Sequence, residues 1–246
     1  MNKQKKDLYY KLALAIVAAI FLVSLVISFG YVSAVPWGPR GVNITDNETR
    51  SIANPAFVNT SGGYVATLNM TAIIQNLRWK AFVGWVSGKF TLDDSSGSTI
   101  YDWALSGISG EIYATMNSTT VSWTSINCSN TTLLEAENNR LSHTTSGDNI
   151  SSTFSSRSHN TFWVAANPIY NNTCPSLRTY VNNATQASHF NETVLYDGAS
   201  LVYSTMIENR VQGFDSNNYD FQMIVPENGS VSFTGASAYY LYVEVN

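Results

Sequence analysis

Apolar and polar positions alternate along most of this chain. Tyr64, Ala66, Leu68, Met70, Ala72 and Ile74 put apolar side chains on one face of an extended segment, and Val65, Thr67, Asn69, Thr71 and Ile73 form a mixed opposite face. Leu77, Trp79, Ala81, Val83 and Trp85 share the next face, with Arg78 and Lys80 opposite. Ser87-Gly88 then turns the chain into a strand over 89–92, and the run DDSSGS at 93–98 turns it again into 99–105. Gly107 and Gly110 precede a strand over 111–115, and 119–123 offers a short one. Beyond residue 190 the stretches 193–196, 201–207, 219–225, 231–233 and 238–245 read as strands. In the last of these Tyr239, Leu241, Val243 and Val245 alternate with Tyr240, Tyr242 and Glu244. Short strands at intervals of about ten residues between turn signals predict a mainly β fold over 63–246. The expected form is an antiparallel β-sandwich, immunoglobulin-like or jelly-roll-like.

Three stretches break the alternation. Residues 12–27 carry no charge, follow Lys3, Lys5, Lys6 and Lys11, and give way to small and polar residues before Pro36. This N-terminal hydrophobic helix over 1–35 is a signal peptide, cleaved between Ala34 and Val35 after Val32-Ser33-Ala34, or a retained signal anchor of roughly 20 apolar residues. Either way the lysines keep the start cytoplasmic and send the rest outside. Residues 36–62, with Pro36, Pro39 and Pro55, several glycines and no alternation, form an arm or stalk. From about 128 to 174 an insertion leaves the strand rhythm. Thr132 and Glu135 match a capping box, and Leu134, Glu137, Asn138 and Leu141 fall on one face of a helix about ten residues long. Residues 142–158 read as an exposed loop or a ragged strand, 161–166 as a strand ended by Asn167-Pro168, and 176–191 as loop. The terminal strand ends one residue before Asn246, so attachment is expected at the front end.

Charge and sequons sharpen the picture. Past residue 34 the chain keeps nine basic residues against sixteen acidic ones. The basic residues are scattered, which excludes the basic stripe of a nucleic-acid binder. Solubility must come from Asn, Ser, Thr and sugars. Asn-x-Ser/Thr occurs twelve times, at Asn43, Asn47, Asn59, Asn69, Asn117, Asn127, Asn130, Asn149, Asn171, Asn183, Asn191 and Asn228. Composition alone would give roughly five, so N-linked glycans on an extracellular or cell-surface protein are expected. Cys128 and Cys174, the two cysteines, are expected to form one disulfide near the surface, closing the insertion and its short helix.

Catalysis has no visible home. His143, His159 and His189 have no metal-ligand spacing, Ser158-His159 makes no triad, and no glycine-rich phosphate loop opens a helix. Asp102, Glu111 and Glu208 could supply a glycosidase-like carboxylate pair, yet nothing in the sequence pairs them. The acidic stretches 93–97 and 215–220 offer oxygen ligands for calcium but not the spacing of an EF-hand, and turn chemistry accounts for both. No cofactor is expected. Trp79, Trp85, Trp103, Trp123 and Trp163 mostly fall on apolar strand phases and are expected in the core, with Tyr240 and Tyr242 as surface candidates for binding.

The hydrophobic leader, the Pro/Gly-rich arm and the sequon-studded strands from Gly63 to Val245 together resemble the secreted β-rich glycoproteins of archaeal cell surfaces, including pilus and thread subunits that polymerise by donating a strand. Type IV pilins and archaellins differ, since Tyr10-Lys11-Leu12 stands where they carry a charged residue and Gly. The resemblance implies a structural or adhesive role without turnover, with partners that are other surface proteins or further copies of the chain. The arm at 36–62 would pair with a neighbour's sheet edge. A sugar- or cell-binding surface module and an exported hydrolase are the alternative expectations.

Overall fold

The computed structural model describes residues 35–105, 107–143, 147–184 and 188–245; the apolar leader and Ala34 lie outside them, and Val35 is the first residue described. In chain order the elements begin with β1 (Trp79–Gly84), β2 (Lys89–Asp93), β3 (Thr99–Ala104), β4 (Gly110–Thr115) and β5 (Asn127–Cys128). Two helices follow, α1 (Thr131–Arg140) and α2 (Ile150–Thr153), then the short strands β6 (Phe162–Val164), β7 (Asn167–Ile169) and β8 (Ser176–Arg178). The chain closes with β9 (Asn191–Tyr196), β10 (Leu201–Met206), β11 (Val211–Gln212), β12 (Asn218–Tyr219), β13 (Phe221–Pro226) and β14 (Tyr240–Val245). All strand pairs are antiparallel.

The largest sheet runs β14-β4-β10-β9-β5, with β8 also on β9. Its two faces are both buried, and the period of two sorts the residues between them. Ile112 and Ala114 of β4, Val194 of β9 and Tyr203 of β10 point to one core, shared with Met223 and Val225 of β13, Leu134 of α1, and Ile150 and Phe154 at α2. Tyr113, Leu195 and Val202 point the other way, against Trp123, Ile126, Phe162, Val164 and Cys174. This is why β9 and β10 are buried along nearly their whole length instead of alternating with solvent.

A two-stranded sheet, β1 with β13, covers the first core. One edge of β13 is taken by β1. At the other edge the Ile224 N–H donates to Glu192 Oε2 (2.9 Å) and the Gln222 carbonyl accepts from Thr205 Oγ1 (3.0 Å), so side chains of β9 and β10 stand in for a strand. Gly110 is required where β4 begins: φ is +134°, and a Cβ there would lie 2.0 Å from the Glu244 carbonyl oxygen.

Several expected elements move. Residues 64–76 form no strand and are exposed throughout. Residues 231–233 make a turn, and 119–123 gives way to a 3₁₀ turn at Trp123–Ser125. The strand expected to end at Asn167 instead reverses through Ala165, at φ +50°, into β7. β8 appears inside the expected loop at 176–191. The N-cap of α1 is Asn130, whose side chain accepts from the Leu133 N–H at 3.0 Å, ahead of the Thr132 capping box; a short Asn side chain satisfies the first-turn donors at least as well as Thr. The expected face of α1 holds, with Leu134, Asn138 and Leu141 buried. α2 was missed. Its signals are the cap Asn149 and the apolar pair Ile150 and Phe154 one turn apart.

Candidate functional site

The Cys128–Cys174 disulfide is formed, closing a separation of 46 residues and tying β5 to the start of β8. It is sunk deeper than expected, since Cys174 is buried and Cys128 half-buried. His159 explains part of this. Its Nδ1–H donates to the Asn160 carbonyl (2.8 Å), leaving Nε2 to accept from the N–H groups of Thr173 (3.1 Å) and Cys174 (2.9 Å). Burial lowers its pKa, in keeping with a neutral ring that holds the disulfide loop.

The candidate carboxylates have separate partners. Asp102 on β3 is an exposed ion-pair partner of Lys89, and Glu208 accepts from the Phe190 N–H and faces His189 Nδ1, each at 3.3 Å. Glu111 meets instead Glu244, directly opposite it across the β4–β14 ladder, and both are buried. Glu244 takes Tyr113 Oη–H at 2.8 Å and the Ala165 N–H at 3.0 and 3.1 Å, so it fastens the β6–β7 turn onto the sheet. Burial raises the pKa of Glu244 while those hydrogen bonds hold it down. Burial and the Glu244 charge push Glu111 up to about 8, so Glu111 carries the proton of the pair at neutral pH. Glu111 is 5 % exposed and Glu244 1 %, which leaves a substrate no approach, and Glu244 acts as a latch. Nothing in the sequence marked Glu244, because alternation put it on the mixed face of the last strand, and that face turns out to be covered.

Turn donors occupy the acidic stretches. Asp94 Oδ1 accepts from the N–H groups of Ser96 and Ser98, and Asp215 from Asn217 and Tyr219. Among the described residues no three of His, Cys, Asp and Glu converge on a common point. Of the five tryptophans, Trp123 is buried and Trp79 half-buried, as expected, while Trp85, Trp103 and Trp163 are each about half exposed. Tyr240 is exposed; Tyr242 is half-buried against Trp123.

Eight sequon asparagines, Asn43, Asn47, Asn59, Asn69, Asn127, Asn130, Asn171 and Asn183, are exposed, and Asn117, Asn149 and Asn228 are half-buried. Asn117, Asn130, Asn149 and Asn228 each use Oδ1 to accept a nearby backbone N–H, leaving the amide nitrogen for a sugar. Asn191 differs: it is 3 % exposed within β9 and its Oδ1 accepts from Arg178 Nε at 2.6 Å, so the fold leaves no room for a glycan there.

Apolar surface is concentrated in the first part of the described chain. In the β2–β3 hairpin Phe90 stands opposite Trp103 and Leu92 opposite Tyr101, making one apolar face, while Lys89, Thr91 and Asp102 make the other. The four apolar residues are 49–61 % exposed. Comparison with protein-family models, with curated proteins and with solved structures returns no match.

Proposed function

We propose that this chain is a non-enzymatic extracellular glycoprotein with a structural role at the cell surface, a surface-layer or filament subunit, held at its start by the leader if the leader is retained. Its body is a β-sandwich of the immunoglobulin-like or jelly-roll-like kind, in which the six-stranded sheet and the β1–β13 pair are the two layers. The observation that carries this is the uncovered apolar face of the β2–β3 hairpin. A two-stranded hairpin alone is marginal in water, and Phe90, Leu92, Tyr101 and Trp103 form a contiguous patch of the kind that marks an association surface. Eight of the sequon asparagines are exposed, and the burial of Glu111 and Glu244 speaks against turnover at that pair. Self-association would run through the N-terminal part of the chain, with the arm at 36–62 or the exposed segment after it lying along a neighbour's sheet edge.

Electron microscopy of native cell-surface material tests this: filaments or lattices containing the chain are expected, and isolated monomers at every concentration would overturn it. A second reading, a sugar- or cell-binding module, draws on the exposed edge-to-face pair Tyr101 and Trp103. A glycan array distinguishes it, with retention lost on Trp103→Ala.

A further inference from the structure

One flank of the two layers is open. β1 lies over the β14 side of the large sheet, since Phe82 meets the Tyr239 ring edge-on at 6.4 Å and Lys80 sits 5.1 Å over the same ring. β13 lies further in, over β9 and β10, where Glu192 and Thr205 fill its inner edge. The outer edges of β1 and β14 therefore face the same side. Trp37 takes β14 there, exchanging two backbone hydrogen bonds with Val243 at 3.1 and 2.9 Å. On β1 the ladder to β13 alternates, so the N–H and C=O groups of Ala81 and Val83 point outward, and no strand among the described residues meets them. Phe82, Leu241 and Val243 beneath this edge stay only half-buried.

The same chain carries an unmatched strand. Residues 65–75 make no backbone hydrogen bond to the body, yet Tyr64, Ala66, Leu68, Met70, Ala72 and Ile74 alternate as a core-facing strand would. Leu68 is 53 % exposed, Met70 83 % and Ile74 86 %. The sequon Asn69 lies on the opposite phase, so a strand docked by its apolar face keeps a glycan in solvent.

Folding back onto its own β1 would require a two-residue hairpin at Leu77-Arg78. Such turns need positive φ, which Gly and Asn supply, and neither Leu77 nor Arg78 has it. Instead the Arg78 N–H closes on Asn76 Oδ1 (2.9 Å), while Asn76 Nδ2, Arg78 and Trp79 Nε1 all bind Asp148 (2.6, 3.3 and 2.7 Å). The root of the segment is thereby fixed to the body.

We propose that residues 64–76 of one copy add as a third strand to the outer edge of β1 in a second copy, with the Tyr64-to-Ile74 face closing the open flank. This rests on the assembly reading above and makes that segment, rather than the arm at 36–62, the donor.

The test uses the full surface-exposed chain. Leu68→Asp and Ile74→Asp change residues that are exposed in the single copy, and each is expected to raise the concentration needed for assembly about tenfold or more. Thr67→Asp, on the opposite face, is expected to leave it unchanged. A photoreactive residue at Val83, in mixed isotopically light and heavy copies, is expected to crosslink to residues 64–76 of the other copy. Assembly that survives Leu68→Asp and Ile74→Asp, or crosslinks confined to one copy, overturns the strand exchange and leaves the structural role standing. Wild-type chain that never assembles overturns both.

Discussion

Gly110 and Asn191 show how single positions constrain this molecule. A Cβ at residue 110 would collide with the backbone of β14 while φ stays at +134°, and the flexible end of a side chain cannot absorb that contact. Gly110→Ala is expected to lower stability by at least about 2 kcal/mol, measured by urea unfolding with the disulfide intact; an unchanged midpoint would contradict the close approach. At Asn191 the sequon is legible but its burial is not, because alternation alone cannot tell a strand with one covered face from a strand with two. Glycopeptide mass spectrometry of the natural protein is expected to find Asn191 bare while exposed sites such as Asn130 and Asn171 carry sugar. Substantial occupancy at Asn191 would mean that β9 does not pair with both β8 and β10 as it does here. Glu244 was hidden for the same reason as Asn191.

Among the elements, those that rest on local chemistry were legible and those that depend on partners were not. The face of α1 and the disulfide follow from spacing and cysteine count. The start of α1 does not, since Asn130, Thr131 and Thr132 are all acceptable caps and the choice depends on how β5 delivers the chain. Asn130→Ala is expected to cost about 1 kcal/mol in thermal unfolding. Thr132→Ala, which removes the same sequon but spares the cap, is expected to cost less; equal losses would assign the effect to the glycan. The alternation over 64–76 predicts a strand that the structure does not form, because pairing is a property of two strands and within one copy the Leu77-Arg78 turn gives that segment no partner. For the disulfide, the loop of 46 residues corresponds to about 4 kcal/mol of stabilisation in the chain-entropy account, and reduction is expected to lower the urea midpoint accordingly.

The charge state of the whole molecule depends on groups the surface does not show. Glu111, Glu192 and Glu244 are all buried, and burial raises the pKa of each above the usual 4.5. Between 4.5 and the folded value the native state holds a proton that the unfolded chain has released. Their contribution is therefore fully present below pH 4.5 and is lost as pH rises through the folded values, which for Glu111 is about 8. That loss is on the order of 4 to 5 kcal/mol for Glu111 alone, a large part of an ordinary domain's 5–15 kcal/mol. His159 works in the opposite sense: burial lowers it from 6.5, so its contribution is present above pH 6.5 and lost as pH falls through its folded pKa. Three carboxyls outweigh one imidazole, so stability is expected to be highest near pH 4.5 and to fall from there toward pH 8 and above. Urea midpoints at pH 5, 7 and 9 check the slope, and Glu111→Gln checks its origin. The variant is expected to match the wild type within about 1 kcal/mol at pH 5 and to exceed it by a few kcal/mol at pH 9. A wild-type midpoint that is flat from pH 5 to 9 would show that Glu111 and Glu244 share their face with water, and the β6–β7 turn would then have to be held by the apolar contacts of Phe162 and Val164 instead.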